Sequence, residues 1–452
     1  MASRVAIEDS SRINLSDDAR ILRPERKGCH RDVTALVDDV VAGPENRAVP
    51  HPDRIAIVGA SLGGLRTAQA LRGRGKFEGT ITLIGAEPHY PYDRPPLSKQ
   101  VLAGEWGPER TLLDPPDKVD ELGLDLRLGA RAEGLDLEAR EVALSDGKRV
   151  GFDSLIIATG ATPRTLPNTP DLAGIYTLRT IDDSMRIRAE LAQGPRVAVV
   201  GAGFIGAEVA AVARSAGLEV TLIEALPAPL AQAAGVEVGE ACAAMHRSHG
   251  VDVRCDTLVA GFEGSERVEK VVLADGSTVE ADLVVVGIGV APETRWLEGS
   301  GLELRDGVVC DATCAAAPGI YAVGDVCRWY NPIFEEEMRV EHWTNVIHQS
   351  RHVARNLLAE AGEARPFASV PYVWSDQYDA SIQSLGHPRA DDEVEVLHGS
   401  LESLEFVAAY QRSGVIVGGL TFNMPQQLSS YRPLIEQRTP WEAVLEHAQA
   451  MG

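Results

Sequence analysis

Along this chain the same order of apolar and polar positions occurs twice. From Arg54, a short apolar run, Ile55 to Val58, leads into a glycine turn. Helically spaced apolar residues follow over Leu65 to Leu71, and a second apolar run spans Ile81 to Ile84 ahead of Glu87. Short uninterrupted apolar runs are the pattern of strands buried on both faces, and the change to a 3.6-residue spacing marks the helix between them. The order returns with Val197 to Val200, a second glycine turn, a helix predicted from Ala207 to about Ala216, and the strand Val220 to Ile223 before Glu224. Two βαβ units follow, an internal repeat at domain scale rather than a short solenoid period.

Leu155 to Gly160 predicts a strand ending in a tight turn, and Leu283 to Gly289 predicts its counterpart. These two strands are expected to carry the chain between the repeated units. Ile320 to Asp325 places an acid at another strand end. Near Pro366 the composition shifts, Tyr372, Trp374 and Tyr378 cluster, and a final, mostly β domain is expected. Residues 1 to 53 are polar and mixed in charge, with one short helix expected at Asp32 to Val41. They stand outside the repeat as an extension: a partner-binding arm, a disordered tail or a misassigned start.

In the turns Gly59-Ala60-Ser61-Leu62-Gly63-Gly64 and Gly201-Ala202-Gly203-Phe204-Ile205-Gly206, the first glycine permits a tight bend and the last lets the helix pack closely. Backbone N–H groups at the helix start then face a pyrophosphate. The second copy matches G-x-G-x-x-G in full. In the first, Ser61 takes the middle place, a small residue where little room remains, and Gly63 with Gly64 restores freedom one step later. Alone, the first copy reads equally as a plain βα turn; the repeat and its downstream acid favour two bound dinucleotides. Glu224 ends its strand where a carboxylate accepts hydrogen bonds from both ribose hydroxyls and repels a 2′-phosphate, which favours NADH over NADPH. Glu87 holds the matching place, although Ala86 just before it leaves either register open. A solvated strand end is the plain alternative for each acid.

The chain has 452 residues, 44% of them hydrophobic, enough for two to four folded domains. Its formal net charge of -23 and pI near 4.9 oppose non-specific binding to nucleic acid or anionic lipid. No apolar stretch reaches the ~18 residues of a membrane span and no secretory pattern opens the chain, so a cytoplasmic location is expected. Six scattered cysteines, Cys29, Cys242, Cys255, Cys310, Cys314 and Cys327, fit reduced thiols better than a disulfide framework.

In Arg94-Pro95-Pro96-Leu97-Ser98-Lys99, two cations flank a rigid proline turn. A lysine beside an isoalloxazine ring stabilises negative charge on reduced flavin and pairs with an acid such as Glu208; an ordinary charged surface loop is the alternative. Further along stand Ala158-Thr159-Gly160, Leu178-Arg179-Thr180, Gly203 to Glu208, Gly287-Ile288-Gly289 with Pro292, Tyr321 to Asp325, Glu341 to Asn345 and Trp374 to Gln377. Together, in this order, these segments resemble the NADH-dependent ferredoxin reductases of the putidaredoxin reductase and aromatic-ring dioxygenase reductase type. The resemblance covers about residue 54 to the end.

That resemblance implies an α/β, glutathione-reductase-like flavoprotein with two dinucleotide-binding domains and a C-terminal α+β interface domain. Residues 54–160 and 283–365 would form the two parts of the FAD domain, 161–282 the NAD domain and 366–452 the interface domain. FAD would lie on Gly59, Ser61, Gly63 and Gly64, with Glu87 at the ribose, the backbone near Ala132 beside the adenine, and Ala158 in the lining. Arg94, Lys99, Arg179, Asp325 and Trp343 would contact the same cofactor. Gly201, Gly203, Gly206 and Glu224 would bind NADH, with Gly289 bordering its nicotinamide end, and Lys99 and Glu208 would form the catalytic pair. The implied partner is a small iron–sulfur ferredoxin, and indirectly an oxygenase, with a monomer or a dimer left open. Rubredoxin, quinone or nitrite reductase service and a flavin-binding interaction protein are the alternatives. Ser61, His342 and the extension depart from the family pattern without removing an essential chemical group.

A redox-active cysteine pair soon after the first fingerprint would indicate disulfide-reductase chemistry, and the interval from Gly59 to Gly201 contains no cysteine. Cys310 and Cys314 read as buried or incidental thiols. The spacing of Cys242, His246, His249 and Cys255 suggests zinc only weakly, because structural sites use tighter cysteine pairs; an exposed helix face is the expected explanation. Tyr372, Trp374 and Tyr378 are expected to pack within the last domain.

Overall fold

The computed structural model describes residues 52–360 and 362–451. The extension's expected helix at Asp32 to Val41 lies outside them. In the first lobe six strands form one sheet, in the order Ala315–Ala317, Ile320–Ala322, Ser154–Ile157, Arg54–Val58, Thr80–Gly85, Asp125–Leu128. Ile57 lies in parallel register between Leu83 and Ile156, and all three are 0% exposed. Burial on both faces is why these strands read as unbroken apolar runs. The first glycine helix, Leu62–Arg72, starts earlier than the periodicity indicates, because it leaves the glycine turn directly with Ser61 as its N-cap.

The second lobe repeats the arrangement with five parallel strands in the order Asp252–Arg254, Val220–Ile223, Val197–Val200, Leu283–Val286, Ile175–Thr177. Its glycine helix spans Phe204–Ser215. The strands Ser154–Ile157 and Leu283–Val286, expected to carry the chain between lobes, instead lie inside their sheets. The crossing falls just after them, where Ala161–Pro163 and Val290–Pro292 pair antiparallel. A strand with all four residues buried belongs inside a sheet, and the half-buried residues beyond it are free to bridge.

The C-terminal lobe is an antiparallel five-stranded sheet, ordered Tyr372–Gln377, Ala380–Gly386, Val415–Phe422, Glu405–Arg412, Glu393–Ser400. Strand alternation divides its neighbours. Phe406, Ala408 and Tyr410 face the second lobe's helix Ala231–Ser248, whereas Val407 and Ala409 face the short C-terminal helices that carry Leu428, Ile435 and Val444. This packing corrects one expectation: Cys242 and His246 lie on a helix face that is 0% exposed, because the face is covered by the C-terminal sheet. Among the described residues, no helix is long and apolar enough to cross a membrane.

Candidate active site at the junction of the lobes

The two glycine turns superpose in role, residue for residue. Gly59 has φ +124°, and a Cβ there would fall 2.0 Å from the Ala158 carbonyl oxygen; Gly201 has φ +95°, and its Cβ would fall 2.4 Å from the Gly287 oxygen. Each turn is therefore pressed against the strand end that precedes the crossing. A Cβ on Gly64 would lie 2.0 Å from the Gly59 oxygen, and one on Gly206 would lie 2.0 Å from the Gly201 oxygen. Gly64 is thus the first copy's helix-packing glycine, and Gly63 faces Val323 and Val346 instead.

Gly203 differs from all of these. At φ −68° its backbone suits any residue, and a Cβ there would meet no protein atom within 4 Å. Nothing in the protein requires glycine at this place, so the space suits a ligand's close approach to the backbone. Glu224, 9% exposed, accepts from the Ala202 N–H at 2.6 Å and the Leu226 N–H at 2.9 Å, one on each oxygen. Each oxygen keeps a lone pair for a ribose hydroxyl. Gly289 lies two residues past Gly287, on the loop that touches the second turn.

The proline turn Pro95–Ser98 brings Lys99 against the second glycine helix, and its ammonium lies 3.1 Å from Glu208 Oε1. Glu208 is 3% exposed and carries two further donors: the Ser98 hydroxyl to Oε2 and the Ser375 hydroxyl to Oε1 at 2.7 Å. Its carboxylate is held by one cation and two hydroxyls, so each oxygen is partnered, as a buried carboxylate requires. Ser98 and Ser375 have no role in the motif reading, although both stand inside the motifs that carry the resemblance.

Around this pair, Arg94 bonds Glu87 at 2.8 Å and the Arg179 carbonyl, and Tyr92 donates to the other Glu87 oxygen. Glu87 is therefore braced from below rather than standing free at its strand end. Gly129 N–H bonds the Glu87 carbonyl and Ala130 N–H bonds Gly85, which brings the strand that opens at Ala132 next to the same edge. Arg179 pairs with Asp325 at 2.8 Å, and the Gln349 side chain accepts the Gly324 N–H at 2.7 Å, steadying the turn that carries this acid.

Trp343 opens the helix Trp343–Leu357 and donates its indole N–H to Asp93 at 2.7 Å; burial pushes the Asp93 carboxyl above its usual range, and that donor opposes the rise. Trp343 meets Trp374 edge-on, and Trp374 stacks on Tyr372, so these aromatics bridge lobes instead of packing only within the last one. On the first turn of this helix, Asn345 is 1% exposed and neither of its amide atoms has a partner, nor does Nδ1 of His342. Burial pushes the His342 imidazole down to about 4, so it is neutral near pH 7. Buried polar atoms without partners are costly, and a bound group rich in donors and acceptors would relieve them. With the open space at Gly203, they are the features that fit dinucleotide cofactors.

The five cysteines among the described residues are free thiols; Cys310, Cys314 and Cys327 gather in the first lobe's core, 0–5% exposed. Among the described residues no group of His, Cys, Asp or Glu could hold a metal ion. Two glycine turns, a Lys–Glu pair that joins the two lobes carrying them, and no cysteine between the turns define a two-nucleotide oxidoreductase. Residues 53–350 match the pyridine nucleotide-disulphide oxidoreductase family, and residues 372–449 match the reductase C-terminal family. The chain belongs to the pyridine nucleotide-disulphide oxidoreductase family and is an oxidoreductase working with FAD and NADH.

It is 38% identical over 389 residues to a ferredoxin–NAD(P)(+) reductase of Sphingomonas sp, covering 85% of this chain and 93% of that protein. It is 36% identical to the ferredoxin–NAD(+) reductase component of the anthranilate 1,2-dioxygenase system of Burkholderia cepacia, covering 85% and 94%. Among solved structures, the covalent putidaredoxin reductase–putidaredoxin complex is similar with a TM-score of 0.82 at 32% identity, covering 88% of this chain and 98% of that one.

Proposed function

We propose that the protein is an NADH-dependent ferredoxin reductase, which draws electrons from NADH through FAD and delivers them to a small iron–sulfur ferredoxin that supplies an oxygenase. The observation that carries this reading is the Lys99–Glu208 pair joining the first lobe's proline turn to the second lobe's glycine helix, with no cysteine from Gly59 to Gly201. A relative named for a dioxygenase system and the solved complex with putidaredoxin support the choice of acceptor.

Bound FAD would supply the chemistry that accepts a hydride from NADH and returns its two electrons one at a time to a one-electron acceptor. The chain's own part is placement and electrostatics. The first glycine turn would offer its N–H groups to the pyrophosphate of FAD, and Arg179, Asp325 and the Glu87–Arg94 pair would contact the same cofactor. Gly201, Gly203, Gly206 and Glu224 admit the dinucleotide of NADH and orient its ribose. Lys99 sets a positive charge at the junction, and Glu208 fixes where that charge sits.

Rapid mixing of the FAD-loaded protein with NADH tests the reading. Flavin absorbance should bleach within seconds, and a panel of ferredoxin, rubredoxin and quinone should show ferredoxin reduced fastest. Absence of bleaching refutes the reductase; bleaching with only quinone or rubredoxin reduced refutes the acceptor.

A further inference from the structure

Glu208 is the end of a longer chain of hydrogen bonds that leaves the junction along the C-terminal sheet's edge strand Tyr372–Gln377 and reaches the helix Ala231–Ser248. Its Oε1 accepts from Ser375; Ser375 Oγ accepts from Gln377 Nε2 at 3.2 Å; and Gln377 Oε1 lies 3.0 Å from His246 Nε2. His246 Nδ1 lies 3.1 Å from the Tyr378 hydroxyl. Ser375, Gln377 and His246 are each 0% exposed. Three lobes meet along this line: Lys99 and Ser98 come from the first, Glu208 and His246 from two helices of the second, and Ser375 to Tyr378 from the C-terminal sheet.

The chemistry gives the chain one direction. Gln377 Oε1 can only accept, so His246 Nε2 carries the proton and its Nδ1 accepts from Tyr378. Burial pushes the His246 imidazole down to about 4, which keeps this neutral tautomer in place near pH 7. Gln377 then has only its amide N–H to offer Ser375, and Ser375 has only its hydroxyl proton to offer Glu208. Every donor points toward the carboxylate. The Cys242 thiol, 3.7 Å from Gln377 Oε1, adds a second donor to the amide oxygen and holds the amide in the same orientation.

The outer end is built at a cost. Tyr378 has φ +56°, a left-handed conformation that a bulky residue adopts at a penalty, and its ring stacks on His249 at 3.7 Å with 5° between planes. Tyr378 opens the two-residue hairpin turn that joins Gln377 to Ala380, where a primed turn needs positive φ, and the same turn places its hydroxyl on His246.

We infer that Gln377 and His246 are positioning residues: through Ser375 they aim a donor at Glu208 and hold its carboxylate on Lys99 at the nucleotide junction. The inference rests on the reading of Lys99 and Glu208 as the pair beside the reacting rings. It adds that the pair is set from outside, by a line that begins at the second lobe's buried helix face.

The test uses the FAD-loaded full chain with Gln377→Leu, His246→Leu, His246→Gln and Glu208→Gln, reading the limiting rate of flavin reduction, the KM for NADH and the flavin's midpoint potential. Losing one hydrogen bond to a charged acceptor should slow reduction about tenfold. Gln377→Leu and His246→Leu should do this with KM changed less than about twofold, and should move the potential in the direction that Glu208→Gln moves it. His246→Gln presents an amide N–H near the Nε2 position and should restore both readouts. Should Gln377→Leu fail to fold, Ser375→Ala removes the last donor with a far smaller change in packing and should give the same two effects. Wild-type rate and potential in Gln377→Leu and His246→Leu, beside an impaired Glu208→Gln, overturn the positioning role alone. Wild-type behaviour in both Lys99→Ala and Glu208→Gln overturns the reading of the pair and this inference with it.

Discussion

Gly203 and Gly206 stand three residues apart in one motif, yet the structure assigns their missing side chains to different causes. A methyl group at Gly206 would lie 2.0 Å from the Gly201 carbonyl oxygen, so the turn or the helix must shift by more than 1 Å, as judged against an ordinary contact of about 3.4 Å. Overpacking of backbone in this way costs about 1–3 kcal/mol, only partly offset by the ~0.5–1 kcal/mol that alanine gains over glycine within a helix. At Gly203 the methyl meets nothing within 4 Å and φ is −68°. Alanine is a poorer N-cap by roughly 0.5–1 kcal/mol, and the stiffer unfolded chain returns a similar amount, so stability should stay within about 0.5 kcal/mol.

The methyl of Gly203→Ala does stand where a pyrophosphate approaches the backbone, and NADH affinity should fall at least tenfold, about 1.4 kcal/mol. Thermal melts combined with NADH titrations separate the two cases: Gly206→Ala should melt lower by several degrees, whereas Gly203→Ala should melt normally and bind poorly. Normal melting with unchanged NADH affinity in Gly203→Ala would refute the argument that this space belongs to the ligand.

Glu224→Ala removes both remaining acceptors for the ribose hydroxyls and the carboxylate that opposes a 2′-phosphate, so the preference for NADH over NADPH should shrink about tenfold; an unchanged ratio of kcat/KM values would reject that role. Acid stability should depend on His246, which faces Tyr378, Gln377, Cys242 and His249. Its folded value is about 4 against an ordinary 6.5, so the unfolded chain binds the extra proton and stability falls as pH drops from 6.5 toward 4. At 1.36 kcal/mol per unit, the loss by pH 5 is about 2 kcal/mol, and His246→Gln should remove it; parallel denaturant melts of the two proteins at pH 7 and pH 5 that keep a constant difference would contradict this.

Much of the architecture is legible in local pattern. Ile55 to Val58 and Val197 to Val200 announce strands because burial on both faces leaves no polar position in them, and Gly59 and Gly201 announce turns because their backbones need positive φ. The loop before Lys99 is legible as chemistry only through the order of motifs around it. Less accessible was the face of the helix Ala231–Ser248 that carries Cys242 and His246. Periodicity shows that this helix has such a face; it does not show that a sheet more than a hundred residues later covers it.

By itself the sequence determined that two βαβ units each open on a glycine turn and that no dithiol lies between them, since strand burial, glycine turns and cysteine content are properties of short segments. Only the tertiary structure decided what surrounds Glu208. Its partners Lys99 and Ser375 lie 109 and 167 residues away, and His246 reaches it through two further side chains. Such a network forms where three lobes meet on one carboxylate, and no local pattern carries the geometry of that meeting.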